Sequence, residues 1–482
     1  MESLKEKTAK GLFWGSVSNG LQQILNLLFG IVLGRLLTPS DYGMVGMLAI
    51  FTAIAGTLQE SGFTSALTNK KTITHDDYNA VFWFSLLCGL LMYGVLFCCA
   101  PWIARFYNKP ELTPLARYVF LGFLFASTST AHSAYLFRNM MVKQRAKAVL
   151  PALFLSGVIG IVMAYCGMSY WGLATQSLVY VLVTNISFWY YSRWRPTLHF
   201  DFRPLKSMFS FSSKILITNI FTQVNGNILS ALLGRFYSAS EVGHYTQSNK
   251  WNIMAYYFVS GTVNSVGQPV LSKISDDKPR LCAVLRKMLR FSVFLSFPAL
   301  LGLALVSREL IVITITDKWI ACVPLMQTLC VWGAFAPVTT LYSTLLISRG
   351  KSDLFMWNTM ALSLLQIAVL LACNPYGIGW MVRCFVLLNI LYLLVWQHFI
   401  RKETGLTLFM AVCDILPFGL IATATMLATW LLTSWITNIY LLFAAKILVG
   451  AALYAGVMKL FRVAIFTESV DFLLQRLGRK KP

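Results

Sequence analysis

The sequence is poor in charged residues, and it is poorest in acids. Only 12% of its 482 residues are charged, with 18 Asp and Glu against 40 Lys and Arg, whereas 57% are hydrophobic. This composition excludes an ordinary soluble globular protein and predicts a membrane protein with many spans. A formal net charge of +22 would suggest nucleic acid as the partner of a soluble chain. In a membrane protein, loops enriched in Lys and Arg explain that charge, so no nucleic acid is expected.

Motifs for hydrolysis and for metal binding are also missing. There is no phosphate-binding loop, nucleophile elbow or zinc signature, so neither an enzyme nor a metal site is predicted. The ten cysteines lie mostly in apolar runs without a CxxC pair and are interpreted as packing residues. No loop exceeds about 20 residues, which is too short for a folded extramembrane domain. Any binding is therefore expected within the spans or their short loops.

Apolar runs divide the chain into fourteen candidate spans, each of about 18 to 28 residues and long enough to cross a bilayer. These are residues 11–34, 43–68, 79–104, 115–137, 149–167, 170–192, 207–234, 243–270, 291–314, 323–347, 355–373, 379–400, 410–434 and 439–461. With both termini on the cytoplasmic side, 29 of the 40 Lys and Arg fall in the termini, in the cytoplasmic loops or, for Lys459, at the cytoplasmic end of the last span. This asymmetry supports both the count and the orientation. The predicted class is an all-α polytopic membrane protein with about 14 transmembrane helices.

A polar hinge between two apolar runs occurs twice. Residues 34–43 read GRLLTPSDYG, and residues 234–243 read GRFYSASEVG. At this offset, seven of the 26 positions from 18 to 43 are identical, which indicates an internal duplication. Thr38 and Ser238 each have the character of a helix N-cap, with an acid three residues later. Each copy is therefore predicted to end one span and begin the next.

The duplication predicts two lobes in the same orientation. Spans 1 and 7 start on the same side, so two six-helix halves would be related by an axis along the membrane normal. The predicted N-terminal lobe is 1–192, a basic cytoplasmic linker is 193–206, and the C-terminal lobe is 207–400. Residues 401–482 would carry two C-terminal helices outside the duplication and a basic cytoplasmic tail.

Lys250 is the first candidate for substrate binding. It lies about ten residues into span 8, roughly 15 Å deep at about 1.5 Å per residue, where its amine has difficulty reaching either interface. A charge at that depth either marks a substrate pathway or pairs with an acid for packing. The adjacent Trp251 adds an aromatic plate, and this mixture suits a phosphate with attached sugars.

Polar residues on the repeat-related spans 1 and 7 form a second group of candidates. Asn19 and Gln23, like Asn219 and Gln223, are four residues apart and share one helix face. That face either lines a lumen or makes hydrogen bonds between helices. Lys214, about seven residues into span 7, either binds substrate or extends to the interface.

Three charged residues are candidates for gating or ion coupling. Arg35 and Arg235 lie at the outer ends of their spans, where anchoring at the interface is the simpler interpretation. Glu60, near the inner end of span 2, is the best-placed acid for a proton or cation relay. Pairing with a neighbouring lysine explains Glu60 equally well.

The hinge at 34–43, after a first span that opens GLFWGS at 11–16, resembles the polysaccharide-transporter family of bacterial flippases. These are Wzx-type exporters of lipid-linked O-antigen and similar repeat units, within the multidrug/oligosaccharidyl-lipid/polysaccharide superfamily. The segments GFTSAL at 62–67 and VGQPVLS at 266–272 match as well. The resemblance covers the whole chain, but its motifs are structural and identify the family rather than the substrate. One departure is Ala239, where the first copy has Pro39.

The resemblance implies alternating access by two lobes, with spans 1, 2, 7 and 8 lining a cationic cavity. An undecaprenyl-pyrophosphate oligosaccharide would be turned across the bacterial inner membrane, with Lys250 and Lys214 on its pyrophosphate. Implied partners are membrane lipids, a polysaccharide polymerase and a chain-length regulator. No cofactor is expected, and coupling to a proton or sodium gradient stays open.

Two other functions remain as alternatives. A drug/cation antiporter of the same superfamily is expected to have twelve helices and acidic cavity residues, and both expectations disagree with this sequence. An integral-membrane glycosyltransferase or polymerase is expected to show a sizeable outer loop or clustered acids near an interface, which this sequence lacks.

Overall fold

The computed structural model describes residues 4–60, 67, 73–199, 203–274 and 277–476. In this part of the chain, all regular structure is helical, with 17 α-helices and two short 3-10 segments. The predicted all-α class is therefore confirmed. The chain divides into two compact units, Met1–Gly243 and His244–Pro482, which we describe separately. The lobe and linker boundaries proposed from the sequence stay a prediction.

The first unit contains eight helices and the first turn of a ninth. They are α1 (Leu4–Leu36), α2 (Pro39–Glu60), α3 (His75–Tyr107), α4 (Leu112–Ser127), α5 (Thr130–Arg138), α6 (Val142–Tyr165), α7 (Tyr170–Tyr191), α8 (Arg203–Phe236) and the start of α9 (Ala239–Lys273). Helix α6 packs against α1 and α7, and α8 packs against α2 and α3.

The second unit contains the rest of α9 and eight further helices. They are α10 (Lys278–Leu305), α11 (Ser307–Ile315), α12 (Cys322–Ser348), α13 (Ser352–Cys373), α14 (Ile378–Thr404), α15 (Leu408–Thr433), α16 (Ile439–Leu460) and α17 (Ala464–Arg476). Helix α10 packs against both α12 and α15, and α16 packs against α15.

Every predicted span coincides with a helix or with a pair of helices. Ten helices of the described chain are long and apolar enough to cross a membrane by themselves: α1, α2, α3, α6, α10 and α12 to α16. The remaining four predicted spans correspond to the broken pair α4 and α5 and to the less apolar helices α7, α8 and α9. The helices that carry the predicted binding residues Lys214 and Lys250 are thus among the more polar ones.

Two predicted spans are broken, which the hydropathy pattern did not predict. In the fourth, α4 ends at Ser127 and α5 begins at Thr130. Two side chains of α7 form hydrogen bonds with Thr128 at this break. Trp189 Nε1 donates to the Thr128 carbonyl at 2.9 Å, and Asn185 donates to the Thr128 hydroxyl at 2.7 Å. The ninth predicted span is divided at Val306 and begins earlier than expected, at Lys278.

The predicted helix caps at the repeated hinge are present. Thr38 and Asp41 form a reciprocal capping box: the Thr38 amide donates to Asp41 Oδ2 at 2.8 Å, and the Asp41 amide donates to Thr38 Oγ1 at 3.3 Å. In the second copy, the Glu241 amide donates to Ser238 Oγ at 3.3 Å. These bonds satisfy amides that a helix start would otherwise leave unpaired.

The two copies of the hinge are also in reciprocal backbone contact within the first unit. A Cβ atom at Gly43 would overlap the carbonyl oxygen of Ala239, and one at Gly243 would overlap the carbonyl oxygen of Pro39. Each glycine therefore permits the start of α2 and the start of α9 to approach at backbone distance. The identity of these glycines in the two copies has a steric reason that the sequence alone did not show.

Gly43→Ala is expected to separate the starts of α2 and α9 and to destabilise the protein by about 1–3 kcal/mol, as other overpacked contacts do. The measurement is the melting temperature of the purified protein in detergent. Gly94→Ala is the matched control, because a Cβ there meets nothing within 4 Å. Equal melting temperatures for the two variants would show that this helix approach contributes nothing to stability.

Candidate functional site

Asp414 in α15 is bound by two arginines of α10. Its side chain is 2% exposed, and it accepts hydrogen bonds from Arg286 Nε at 2.7 Å and Nη2 at 3.0 Å, and from Arg290 Nε at 2.5 Å. A buried carboxylate needs such partners because it has lost its water. Asp414 therefore has a structural role that connects α15 to α10.

Glu309 in α11 is likewise paired. Lys446 Nζ of α16 donates to Glu309 Oε1 at 2.7 Å and to the Leu305 carbonyl at 3.2 Å. Both side chains are less than a tenth exposed. Glu309 and Asp414 are thus acids within membrane-spanning helices whose charges are already neutralised by neighbouring cations.

Lys250 differs from these residues, because its side-chain amine forms no hydrogen bond or ion pair with any residue that the structure describes. Packing on α12 fixes the orientation of its helix, α9. Ser248 Oγ donates to the Cys322 carbonyl at 2.9 Å, and the Tyr256 hydroxyl lies 3.2 Å from Thr340 Oγ1. Successive residues of a helix are about 100° apart, so Lys250 lies nearly opposite the face that packs on α12. The packing alternative, a lysine paired with an acid, is not formed in the described chain.

Further polar atoms without partners lie beside Lys250. Thr246 Oγ1, Gln247 Oε1 and Trp251 Nε1 are buried, and none of them has a hydrogen-bond partner among the described residues. Thr246 and Gln247 precede Lys250 by four and three residues, so they share its side of α9. We call Thr246, Gln247, Lys250 and Trp251 the α9 polar face. Buried polar groups are normally bonded, so these atoms retain unused hydrogen-bonding capacity.

The predicted amides on α1 and α8 have different surroundings. Asn19 and Gln23 are both exposed, and Asn19 also lines a cavity of the first unit. Asn219 is exposed and Gln223 is half-buried on α8. An exposed amide within a span is costly in lipid and favours a water-filled surface. The roles proposed for these four residues stay predictions.

The charged candidates for gating have partly identified contacts. Arg235 donates to the Phe106 carbonyl at 2.6 Å, and its guanidinium lies 5.3 Å from the centre of the Phe106 ring, which fits an anchoring role. Arg35 is exposed. The side chains of Lys214 and Glu60 lie outside the described residues, although their backbones belong to α8 and α2. Gating and ion coupling by these residues stay predictions.

A cationic cavity between α1, α5, α6 and α7 was not predicted from the sequence. It has a volume of about 920 Å³ and is lined by Arg138 and Arg145, with Ser18, Asn19, Gln22 and Tyr180 among its polar residues. We call it the α1–α6 cavity. The predicted spans 115–137 and 149–167 leave Arg145 in the loop between them, whereas the structure places it in the first turn of α6, which begins at Val142. The sequence signal for this earlier helix start would have been the apolar Val142 followed by Ala146 and Ala148, since alanine favours helix.

This architecture is shared with solved membrane transporters. The lipid II flippase MurJ in an inward closed conformation superimposes with a TM-score of 0.76 at 14% identity, covering 96% of this chain and 99% of that chain. A multidrug resistance transporter of the MATE family, in an inward-facing conformation, superimposes with a TM-score of 0.62 at 17% identity, covering 80% of this chain and 94% of that chain. These likenesses establish the fold, which is that of an all-α polytopic membrane protein.

The sequence places the chain within that class. Residues 32–324 match the family described as polysaccharide biosynthesis protein, and the chain belongs to that family. It is also similar to the lipopolysaccharide biosynthesis protein WzxC of Escherichia coli (strain K12), with 25% identity over 397 residues, covering 81% of this chain and 80% of that protein. The resemblance stated from the hinge motif is confirmed, and the protein is a transporter rather than an enzyme.

Asp414→Asn is expected to destabilise the protein strongly, because it leaves Arg286 and Arg290 without their shared carboxylate. Breaking a buried pair costs about 3–5 kcal/mol. The control is Glu468→Gln, which breaks a 2.6 Å pair with Lys287 whose two side chains are more than half exposed. Exposed pairs contribute about 1 kcal/mol or less. The melting temperature should fall much further for Asp414→Asn, and equal decreases would contradict a structural role for Asp414.

Proposed function

We propose that this transporter moves an undecaprenyl-pyrophosphate-linked oligosaccharide repeat unit across the bacterial inner membrane by alternating access. The product would be used for surface polysaccharide such as O-antigen, capsule or exopolysaccharide. The observation that carries the proposal is Lys250, an unpaired cation in a spanning helix with unpaired polar atoms beside it. Family membership supports the polysaccharide pathway, and the name of the Escherichia coli relative supports a lipid-bound product of that pathway.

The chemistry of such a substrate fits the α9 polar face. A pyrophosphate requires cations, and charge-assisted hydrogen bonds to phosphate oxygens are the strong ones. Sugar hydroxyls both donate and accept hydrogen bonds, which suits Gln247 Oε1 and Trp251 Nε1 as unpaired acceptor and donor. The flat indole of Trp251 also provides an apolar surface for a sugar ring. Lys250 would bind the pyrophosphate, and its neighbours would contact the first sugars.

A drug/cation antiporter shares this superfamily, and its substrate would require an unpaired acid in the spans. Asp414 and Glu309 are both paired with cationic side chains, whereas Lys250 is paired with no acid among the described residues. The charge available for a ligand on the α9 polar face is therefore positive. This sign favours an anionic substrate over a cationic drug.

Location, orientation and partners belong to the same proposal. An excess of Lys and Arg in one set of loops supports both termini in the cytoplasm. The protein would act between the enzymes that assemble the lipid-linked unit inside and a polysaccharide polymerase with its chain-length regulator outside. Transport would use no cofactor, and a proton or sodium gradient is a proposed energy source.

Lys250→Met should slow the transport of a lipid-linked oligosaccharide by about tenfold to a hundredfold, because a hydrogen bond to a charged group contributes about 1.5–3 kcal/mol. Lys250→Arg keeps the charge and should retain most of the rate. The measurement is exposure of the sugar on the outer leaflet of proteoliposomes. Lys351→Gln is the control, since Lys351 is exposed at the start of α13.

Three results would count against this proposal. If Lys250→Met and Lys351→Gln transport at equal rates, Lys250 has no part in substrate binding. If the intact protein moves no polyprenyl-linked oligosaccharide, the flippase function is wrong. If it instead exchanges a small cation for protons, the antiporter function replaces it.

A further inference from the structure

The α1–α6 cavity has the size and the charge of a site for a phosphorylated ligand. Its volume of about 920 Å³ is within the range of about 300–1,000 Å³ that is usual for small-molecule sites. Two arginines line it, and no Asp or Glu is present among its described lining residues. All of its helices belong to the first unit, so the site is complete within that unit.

Arg145 is the residue that most clearly lacks a partner there. It is half-buried, and its guanidinium lies 5.3 Å from the centre of the Phe137 ring. The guanidinium forms no ion pair and no hydrogen bond with any described residue, so all five of its N–H donors are available. Removing a guanidinium from water without an anion is costly. A bound anion would remove that cost and would satisfy the donors.

Arg138 and the polar residues of α1 complete the arrangement. Arg138 Nη1 donates to the Leu67 carbonyl at 3.0 Å, which holds this side chain at the wall of the cavity. On α1, Gln22 Nε2 donates to Ser18 Oγ at 3.0 Å, and Asn19 lines the cavity one residue further on. Cations on one side and amides and hydroxyls on the other match a phosphate joined to a sugar.

We propose that the α1–α6 cavity binds the diphosphate and first sugar of the polyprenyl-linked substrate, with Arg145 and Arg138 on the phosphates and with Asn19 and Gln22 on the sugar. This inference rests on the proposed function and adds a second binding site to it. The site lies on α5, α6 and α7 as well as α1, outside the set of spans 1, 2, 7 and 8 that the family resemblance assigns to the cavity. Arg138 ends α5 and Arg145 stands in the first turn of α6, close to the predicted cytoplasmic surface. Substrate would therefore occupy this site when it enters from the inner leaflet.

The same phosphate chemistry occurs in membrane phospholipids and in free pyrophosphate, so the test includes both. The protein is placed in nanodiscs, and the binding of undecaprenyl pyrophosphate is measured at equilibrium. Phosphatidylglycerol and inorganic pyrophosphate are then used as competitors. The variants are Arg145→Gln, which removes the charge, and Gly15→Leu, which fills the cavity and leaves both arginines in place.

Two features of the chain make the variants interpretable. A Cβ at Gly15 meets only Val142 Cγ1, at 3.8 Å, so a side chain can start there without a clash. Arg117→Gln is the matched control, because Arg117 also lies over a phenylalanine, 4.1 Å from the centre of the Phe97 ring, but does not line the cavity. Melting temperatures of all three variants verify that they are folded.

We expect the dissociation constant for undecaprenyl pyrophosphate to rise about tenfold or more in Arg145→Gln and in Gly15→Leu, and to stay unchanged in Arg117→Gln. Unchanged affinity in both cavity variants would overturn the site. Equal competition by phosphatidylglycerol would make it a phospholipid site, and equal competition by inorganic pyrophosphate would make it a site for free anions. Both of these outcomes also overturn the proposal.

The two proposals fail in different experiments. Binding that weakens as expected, in a protein that transports no lipid-linked oligosaccharide, would leave the site and remove the flippase function. Transport by the intact protein, with binding unaffected by both cavity variants, would leave the function and remove the site.

Discussion

The cost of placing a charge inside a bilayer organises this structure. Such a charge must be paired or must face water or a ligand. Asp414 lies between Arg286 and Arg290, and Glu309 is bound by Lys446. Within the predicted spans, Lys250 has no such partner among the described residues, and Arg145 has none near the predicted cytoplasmic surface. A binding charge with a permanent counter-ion would have to lose it each time substrate enters, and such a pair is worth about 4 kcal/mol at 4 Å and an effective dielectric constant of about 20. The unpaired cations are thus the ones suited to bind and release an anion.

The duplicated hinge shows a second constraint, which acts on the backbone. Its hydroxyl residues start the following helices, and its glycines let the starts of α2 and α9 meet through the carbonyl groups of Pro39 and Ala239. Pro39 and Ala239 occupy equivalent positions in the two copies, and it is their backbone atoms, not their side chains, that meet the glycines. This explains why both copies have a glycine at positions 43 and 243, whereas positions 39 and 239 can hold different residues.

Hydropathy and charge were sufficient to predict the helical class and the order of the helices, because these depend on local composition. The breaks at Thr128 and Val306 could not be predicted, since the first depends on hydrogen bonds from Asn185 and Trp189 about 60 residues away. Whether a charge is paired is also non-local: Asp414 is 124 residues from Arg290 in sequence. Arg145 was not predicted as a binding residue because the polar start of α6 resembles a loop in its composition.

Both buried ion pairs attach one of the two last predicted spans to an earlier helix of the second unit. Asp414 stands on α15 and Lys446 on α16, the two C-terminal spans outside the duplication, and their partners stand on α10 and α11. A hydrogen bond from the Tyr454 hydroxyl of α16 to the Phe294 carbonyl of α10, at 2.9 Å, strengthens the same attachment. In the described second unit, Asp414 and Glu309 therefore hold α15 and α16 in place. Their charges are paired and are not available to bind the cation that an antiporter would exchange. The α9 polar face keeps its positive charge, which is the property that the proposed anionic substrate requires.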